Sequence, residues 1–108
     1  MAKRPLDLSE IINVASDHFE MPAEELCSPQ MSDQKHSHAR LVAIFVAAEA
    51  GYSNAEIAGA MNYKSANTVS TKFNSAINSF RRPQTEDDVV FRRDTRAVAK
   101  ASRVDLAL

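Results

Sequence analysis

The segment from Lys64 to Ser70 (KSANTVS) carries side chains suited to contacting a nucleic acid. An Asn amide or a Ser or Thr hydroxyl can hydrogen bond to a base edge, and a Thr methyl can touch a thymine methyl. Lysine supplies the positive charge that attracts phosphate. We predict base contacts from Ser65, Ala66, Asn67 and Thr68, and phosphate contacts from Lys35, Arg40, Lys64, Ser70 and Lys72.

A second set, Cys27, His36 and His38, has the chemistry of metal ligands and the spacing C-x8-H-x-H. Zinc takes three or four ligands in a settled geometry. This set lies in or beside the polar segment 27–37 (CSPQMSDQKHS), which Pro29 interrupts and which we predict to be a loop. We therefore interpret the two histidines as solvated and Cys27 as a small buried side chain. We expect no metal, no cofactor and no enzymatic activity.

Two short helical patterns would position the segment from Lys64 to Ser70. Ser53 and Glu56 have the spacing of a capping box, which predicts a helix that begins near Asn54. Asn62 is suited to the left-handed backbone that ends a helix.

The following helix has an apolar rear and a polar first turn. Ser65 is a good N-cap that can accept from the amide of Asn67 or Thr68. A buried stripe recurs every three or four residues, at Val69, Phe73, Ile77 and Phe80. A short helix, a turn and such a second helix are typical of a helix-turn-helix, whose second helix reads the major groove. The alternative is an ordinary helical hairpin whose polar turn faces water.

The remaining elements also read as helices. Apolar residues at helical spacing run from Leu8 to Phe19, where Asp7 and Glu10 could form a capping box. Pro22 suits the start of a short helix with Met21 and Leu26 as core anchors. A long helix over about 36–50 is apolar nearly all round and should be the most buried one, with Gly51 ending it. A last helix, over about 87–104, follows Thr85 and Asp88 as caps.

The predicted fold is all-α: a compact helical domain with a helix-turn-helix over residues 1–82, and a basic tail, helical, over 83–108. We expect residues 1–6 to be a loose arm. The tail helix either packs on the domain or serves as a dimerisation, partner-binding or phosphate-binding arm, and its pattern leaves these open.

Composition limits the class of protein. With 108 residues the chain is one small domain, and no apolar run is long enough to span a membrane. The first ten residues lack the apolar segment of a secretory signal, and Cys27 is a lone cysteine, so we expect a cytoplasmic protein. Residues 1–80 hold six bases and nine acids, a net charge of −3, whereas residues 81–108 hold seven bases and five acids, a net charge of +2. An acidic body opposes binding to phosphate, although a local basic face can still form.

The order of these elements resembles the C-terminal DNA-binding domain of the bacterial replication initiator DnaA, a relative of the Trp-repressor fold. The resemblance covers about residues 7–80. Three stretches carry it: LDLSEIINVASDHFEMPAEEL (6–26), ARLVAIFVAAEAGYSNAEIAGAMN (39–62) and KSANTVSTKFNSAI (64–77). The last corresponds to the family's Arg-Asp-His-Thr-Thr-Val signature, which opens the recognition helix. The resemblance implies the same fold and the same use of that helix.

The chain departs from the family at the residues that read bases. By position, Lys64 matches the signature's Arg, Ser65 its Asp, Ala66 its His and Asn67 its first Thr, and only Thr68 and Val69 are identical. The family's Arg-rich loop before the long helix is QMSDQKHSHAR here, with Lys35 and Arg40 as its bases. If DNA is the partner, we therefore expect a target other than the usual DnaA box. No ATPase module accompanies the domain, so we expect a stand-alone protein.

The sequence is compatible with two functions. The first is a small DNA-binding protein whose helix-turn-helix reads double-stranded DNA and regulates transcription or replication. The second is a protein-interaction module of the same fold that binds a replication or transcription component and no DNA. The acidic body and the altered signature favour the second, and the motif itself favours the first.

Overall fold

Helices are the only regular secondary structure in the residues that the computed structural model describes, 7–31 and 33–106. The arm predicted over residues 1–6 lies outside that range. The six helices are α1 (Leu8–His18), α2 (Ala23–Leu26), α3 (Gln34–Glu49), α4 (Asn54–Ala60), α5 (Ala66–Arg81) and α6 (Glu86–Ala101). The predicted all-α class is confirmed. None of the described helices combines the length and the hydropathy needed to cross a bilayer.

The centre of the fold is α3, as its continuous apolar sequence predicts. Every other helix packs against it, and its buried residues are Ala39, Arg40 and the run from Val42 to Ala47. The helix begins at Gln34, two residues earlier than predicted, because Asp33 caps it and accepts a hydrogen bond from the His36 amide at 3.3 Å. Gly51 follows its end with φ of +103°, the left-handed position predicted for this glycine.

An aromatic cluster joins α3 to α5 and α6. The ring of Phe45 is stacked with those of Phe73 and Phe80, at centroid distances of 5.6 and 5.2 Å, and meets Phe91 edge-on at 6.1 Å. Phe45, Phe80 and Phe91 are almost entirely buried, whereas Phe73 is half-buried. The predicted apolar stripe of α5 is therefore core.

The turn between α1 and α2 is held by buried side chains. Met21 and Leu26 lie in the core as predicted, and the Ser16 hydroxyl donates to the Met21 carbonyl. The capping box predicted at the start of α1 is wrong, because the Asp7 side chain makes no capping hydrogen bond there.

The last helix, α6, packs against α1, α3 and α5. Its start is a capping box formed by Thr85 and Asp88, the two residues that were predicted as caps. It contributes Phe91, Val98 and Ala99 to the same hydrophobic cluster that contains the residues of α1 to α5. Of the roles left open for this segment, the structure thus shows packing on the domain.

Candidate nucleic-acid interface

The segment that contains α4 and α5 begins with one capping box, at Ser53. The Ser53 hydroxyl accepts from the Glu56 amide at 3.1 Å, and the Glu56 carboxylate accepts from the Ser53 amide at 3.1 Å. Asn62 then takes φ of +63°, the predicted left-handed turn after α4. Its side-chain amide donates to the Cys27 carbonyl at 2.8 Å and so ties the turn to the end of α2.

The first turn of α5 faces solvent, whereas the opposite side of the helix is buried. Ser65 is the N-cap, and its hydroxyl accepts from the Asn67 amide at 3.1 Å as predicted. Asn67 and Thr68 are exposed, whereas Ala66 is half-buried. The buried side of the helix consists of Val69, Ala76 and Phe80. The structure therefore brings Ser65, Asn67 and Thr68 together on one exposed helix tip.

The predicted phosphate contacts are scattered over more than one surface. Lys64 is exposed beside the tip of α5, and Ser70 and Lys72 are half-buried one turn further on. The Lys72 ammonium group lies 5.8 Å from the centroid of the Tyr63 ring, within the range of a cation–π contact. Lys35 is exposed at the start of α3, where it lines a groove between α3 and α6.

Arg40 does not belong to this surface. Only 4% of the residue is exposed, and its guanidinium donates to the Ser28 and Met31 carbonyls at 3.0 and 2.6 Å. These bonds tie the loop before α3 to the helix. Several buried carbonyls are best satisfied at once by Arg, because its guanidinium carries five N–H donors. Since Arg40 is buried and bonded in this way, its placement does not support the prediction that it contacts phosphate.

Charge is unevenly distributed along the chain. From Ile57 to Thr85 there is no acidic residue, and the four basic residues are Lys64, Lys72, Arg81 and Arg82. Nine acids lie before this segment and five after it. The net charge of −3 over residues 1–80 therefore comes from the part of the chain that precedes α5, and α5 itself has no carboxylate in its positively polarised first turn.

The histidines are not solvated loop residues, and this interpretation was wrong. His36 and His38 lie in the first turns of α3 because Asp33 starts that helix early. The His36 ring donates to Asp33 at 2.6 Å and lies 3.4 Å from Glu25. The His38 ring turns the other way, toward α6.

One carboxylate of α6 joins histidines from two other helices. His18 donates through Nε2 to Oδ1 of Asp94 at 3.0 Å, and His38 donates through Nε2 to Oδ2 at 2.8 Å. Burial raises the pKa of Asp94, but the hydrogen bonds from the two histidines outweigh it and leave the pKa below its usual value. We call His18, Asp94 and His38 the histidine–aspartate cluster.

Sequence reasoning missed this cluster, although one signal was present. Asp94 stands in the apolar stripe of α6, and a charged group in a buried stripe requires partners. His18 and His38 could not be assigned as those partners, because the packing of α1 and α3 on α6 sets their distance. No group of three potential ligands with metal-binding geometry occurs among the described residues.

Cys27 has the surroundings of a structural thiol. It is half-buried and packs against the core. Burial raises the pKa of the thiol, and the Arg40 cation lowers it by less. Because the thiolate is the reactive form, these surroundings do not activate Cys27.

Comparisons with family models, curated proteins and solved structures return no match for this chain.

Proposed function

We propose that this protein binds double-stranded DNA through the N-terminal turn of α5, with α4 and α5 as a helix-turn-helix, and regulates transcription or replication. The observation that carries the proposal is the contrast between the two sides of α5. Its rear is core, whereas Ser65, Asn67 and Thr68 are exposed on a tip without carboxylates. A helix presented in this way can enter the major groove with its first turn leading.

Three exposed residues at the tip of α5 have specific roles in this proposal: Asn67, Thr68 and Lys64. The Asn67 amide can both donate to and accept from an adenine edge, and the Thr68 methyl can contact thymine. Lys64 would meet a backbone phosphate. The positive end of α5, which no acidic residue of the first turn neutralises, favours a phosphate at the same place.

The resemblance to the DnaA domain supports this proposal at the level of fold and of helix use. Since Ser65, Ala66 and Asn67 replace the signature residues that read bases in that family, the proposed target differs from the usual DnaA box. Base contacts are the source of sequence preference, and phosphate contacts fix only position.

The alternative is an interaction module that binds a replication or transcription component. The acidic residues of α1 and α2 favour it, since Glu10, Asp17 and Glu24 are exposed there. A surface of that sign repels DNA and attracts a basic partner. Measurement of DNA binding separates the two proposals.

The test is fluorescence anisotropy of the full chain with a pool of random-sequence duplexes, followed by selection and sequencing of the bound fraction. We expect one motif to be enriched. Asn67→Ala should reduce discrimination at one base pair by about 1–3 kcal/mol, and Lys64→Ala should lower the salt dependence of log K by about 0.9.

Two matched variants serve as controls. Asn78→Ala changes the same residue type about 16 Å further along α5, and Lys100→Ala removes an exposed lysine from α6. Both should bind like the unmodified protein. Absence of binding even at low salt would overturn the proposal and favour the interaction module. Binding without an enriched motif would overturn base reading by α5.

A further inference from the structure

Two neighbouring valines of α6 point into solvent. Val89 is 59% exposed and Val90 36% exposed, and they are the exposed large hydrophobic residues of the described chain. A single exposed apolar residue is ordinary. Val89 and Val90 are adjacent at the start of a helix that is otherwise rich in charged residues, and together they form a small apolar patch.

The patch continues into an apolar groove. A space of about 640 Å³ lies between the end of α1, the start of α3 and the start of α6. Phe19, Leu41 and Val90 line it, and Lys35 and Asp87 supply charge there. Phe19 and Leu41 are only half-buried, so apolar surface remains in the groove for another molecule to cover.

The charges on either side of the valines have opposite signs. Along α6 the sequence is EDDVVFRR (86–93), with acids before the valines and arginines after them. Glu86 and Arg93 are both exposed. Arg92 is less free, because its guanidinium lies 5.3 Å from the Phe80 ring centroid. Arg93 lies 3.7 Å from the Asp94 carboxylate, yet 74% of its side chain is exposed. The exposed charged pair on this face of α6 is therefore Glu86 and Arg93.

The order of acids, valines and arginines along α6 is complementary to the same sequence in a second copy that runs antiparallel to it. If two copies of α6 cross about an axis between Val89 and Val90, each Val89 faces the partner's Val90. The same register places Glu86 opposite the partner's Arg93, and Arg93 opposite the partner's Glu86. A two-fold interface requires such reciprocity, in which one residue contacts a second and that second contacts the first.

We propose that a second copy of this chain occupies the patch and groove, so that the protein forms a symmetric dimer through antiparallel packing of the first half of α6. The valines form the apolar centre and the two Glu86–Arg93 pairs flank it. The helix dipole accounts for acids at the start of α6, but it does not account for exposed valines between the acids and the arginines.

The dimer surface leaves the tip of α5 uncovered. The groove has no lining residue from α4 or α5. The tip also lies about 24 Å from the other end of α5, at 1.5 Å per residue, and that other end is the one joined to α6. The dimer therefore does not depend on the proposed DNA binding, and either can fail without the other.

The test is sedimentation equilibrium of the full chain without DNA, at protein concentrations from about 1 μM to about 1 mM, which brackets weak and moderate dissociation constants. We expect a monomer–dimer equilibrium. Val89→Asp places one carboxylate from each copy in the apolar centre of the dimer. It should raise the dissociation constant by more than about tenfold. Lys100→Glu, at an exposed position outside this half of α6, should leave the dissociation constant unchanged.

Charge reversal tests the register. Glu86→Arg alone and Arg93→Glu alone each create two repulsive pairs and should weaken the dimer. The double variant Glu86→Arg/Arg93→Glu restores opposite charges and should recover it, even though it places an unfavourable charge at the start of the helix. Circular dichroism melting of each variant confirms that it is folded. A monomer at every concentration, a dimer insensitive to Val89→Asp, or a double variant no better than the singles would overturn the proposal.

Discussion

Nε2 of His38 lies 2.8 Å from Oδ2 of Asp94, although the two residues are 56 positions apart in the chain. Asp94 is only 7% exposed, and its second oxygen accepts from His18. One carboxylate thus links the first, third and last helices.

We predict that Asp94→Asn destabilises the fold by about 1.5–3 kcal/mol, the range for a hydrogen bond to a charged group. The asparagine has no charge, and its amide nitrogen cannot accept from a histidine that donates. Urea unfolding at neutral pH measures the effect. Asp105→Asn, at an exposed carboxylate, is the matched control and should lie close to the unmodified protein.

The same carboxylate predicts how stability changes in acid. The pKa of Asp94 is lower in the folded protein than its usual value, so its contribution is present above the unfolded-state pKa and is lost as pH falls through the folded-state pKa. The free energy of unfolding should therefore drop below about pH 4. Asp94→Asn should show a smaller drop over the same range. Equal slopes for the two proteins would contradict this assignment.

Phe45 should be the most sensitive aromatic residue of the core. Phe45→Ala removes a ring that contacts three other phenylalanines and leaves a cavity between α3, α5 and α6. We expect it to lower the free energy of unfolding by about 3–5 kcal/mol. Phe73→Ala should cost clearly less, because Phe73 is half-buried. Thermal or urea unfolding of both variants decides the order, and similar costs would contradict the packing described.

The two glycines should respond differently to replacement by alanine. Gly51 has φ of +103° and no neighbouring atom within 4 Å of an added Cβ, so Gly51→Ala should destabilise through backbone strain alone, by about 1–2 kcal/mol. Gly59 lies in α4 and also has free space around it. Gly59→Ala should be neutral or stabilising by up to about 1 kcal/mol. Urea unfolding measures both.

Arg40 should behave as a structural residue. Arg40→Met leaves the Ser28 and Met31 carbonyls without their donor and should lower the free energy of unfolding by about 1–3 kcal/mol. It should not change the salt dependence of DNA binding, whereas Lys64→Ala should. A variant of normal stability with a reduced salt dependence would instead restore Arg40 to the phosphate contacts.

Much of the local structure could be predicted from the sequence, because caps and periodicity act over a few residues. Ser53 with Glu56, Asn62, Ser65, and Thr85 with Asp88 all have the predicted local roles. The apolar run of α3 likewise predicted the central helix. These signals need no knowledge of how the helices pack.

Features that depend on packing could not be predicted in the same way. Arg40 was predicted to contact phosphate because it is one of the two bases of the segment before the long helix, yet the loop carbonyls that it binds come from residues 9 and 12 positions earlier. The histidine–aspartate cluster requires three helices to meet. The groove beside Val90 likewise exists only once α1, α3 and α6 are assembled.

The packing of Phe91 of α6 against Phe45 and His38 of α3 has a consequence for how the chain can be divided. A cut in the link from Arg82 to Thr85 would separate α6 from five helices whose core it completes. Neither fragment would then hold a finished interior. Phe45 contacts Phe91, and Asp94 accepts from His18 and His38, across the cut. Two separately produced fragments, 1–82 and 83–108, should therefore reassemble on mixing, and the chain could serve as a split reporter of proximity.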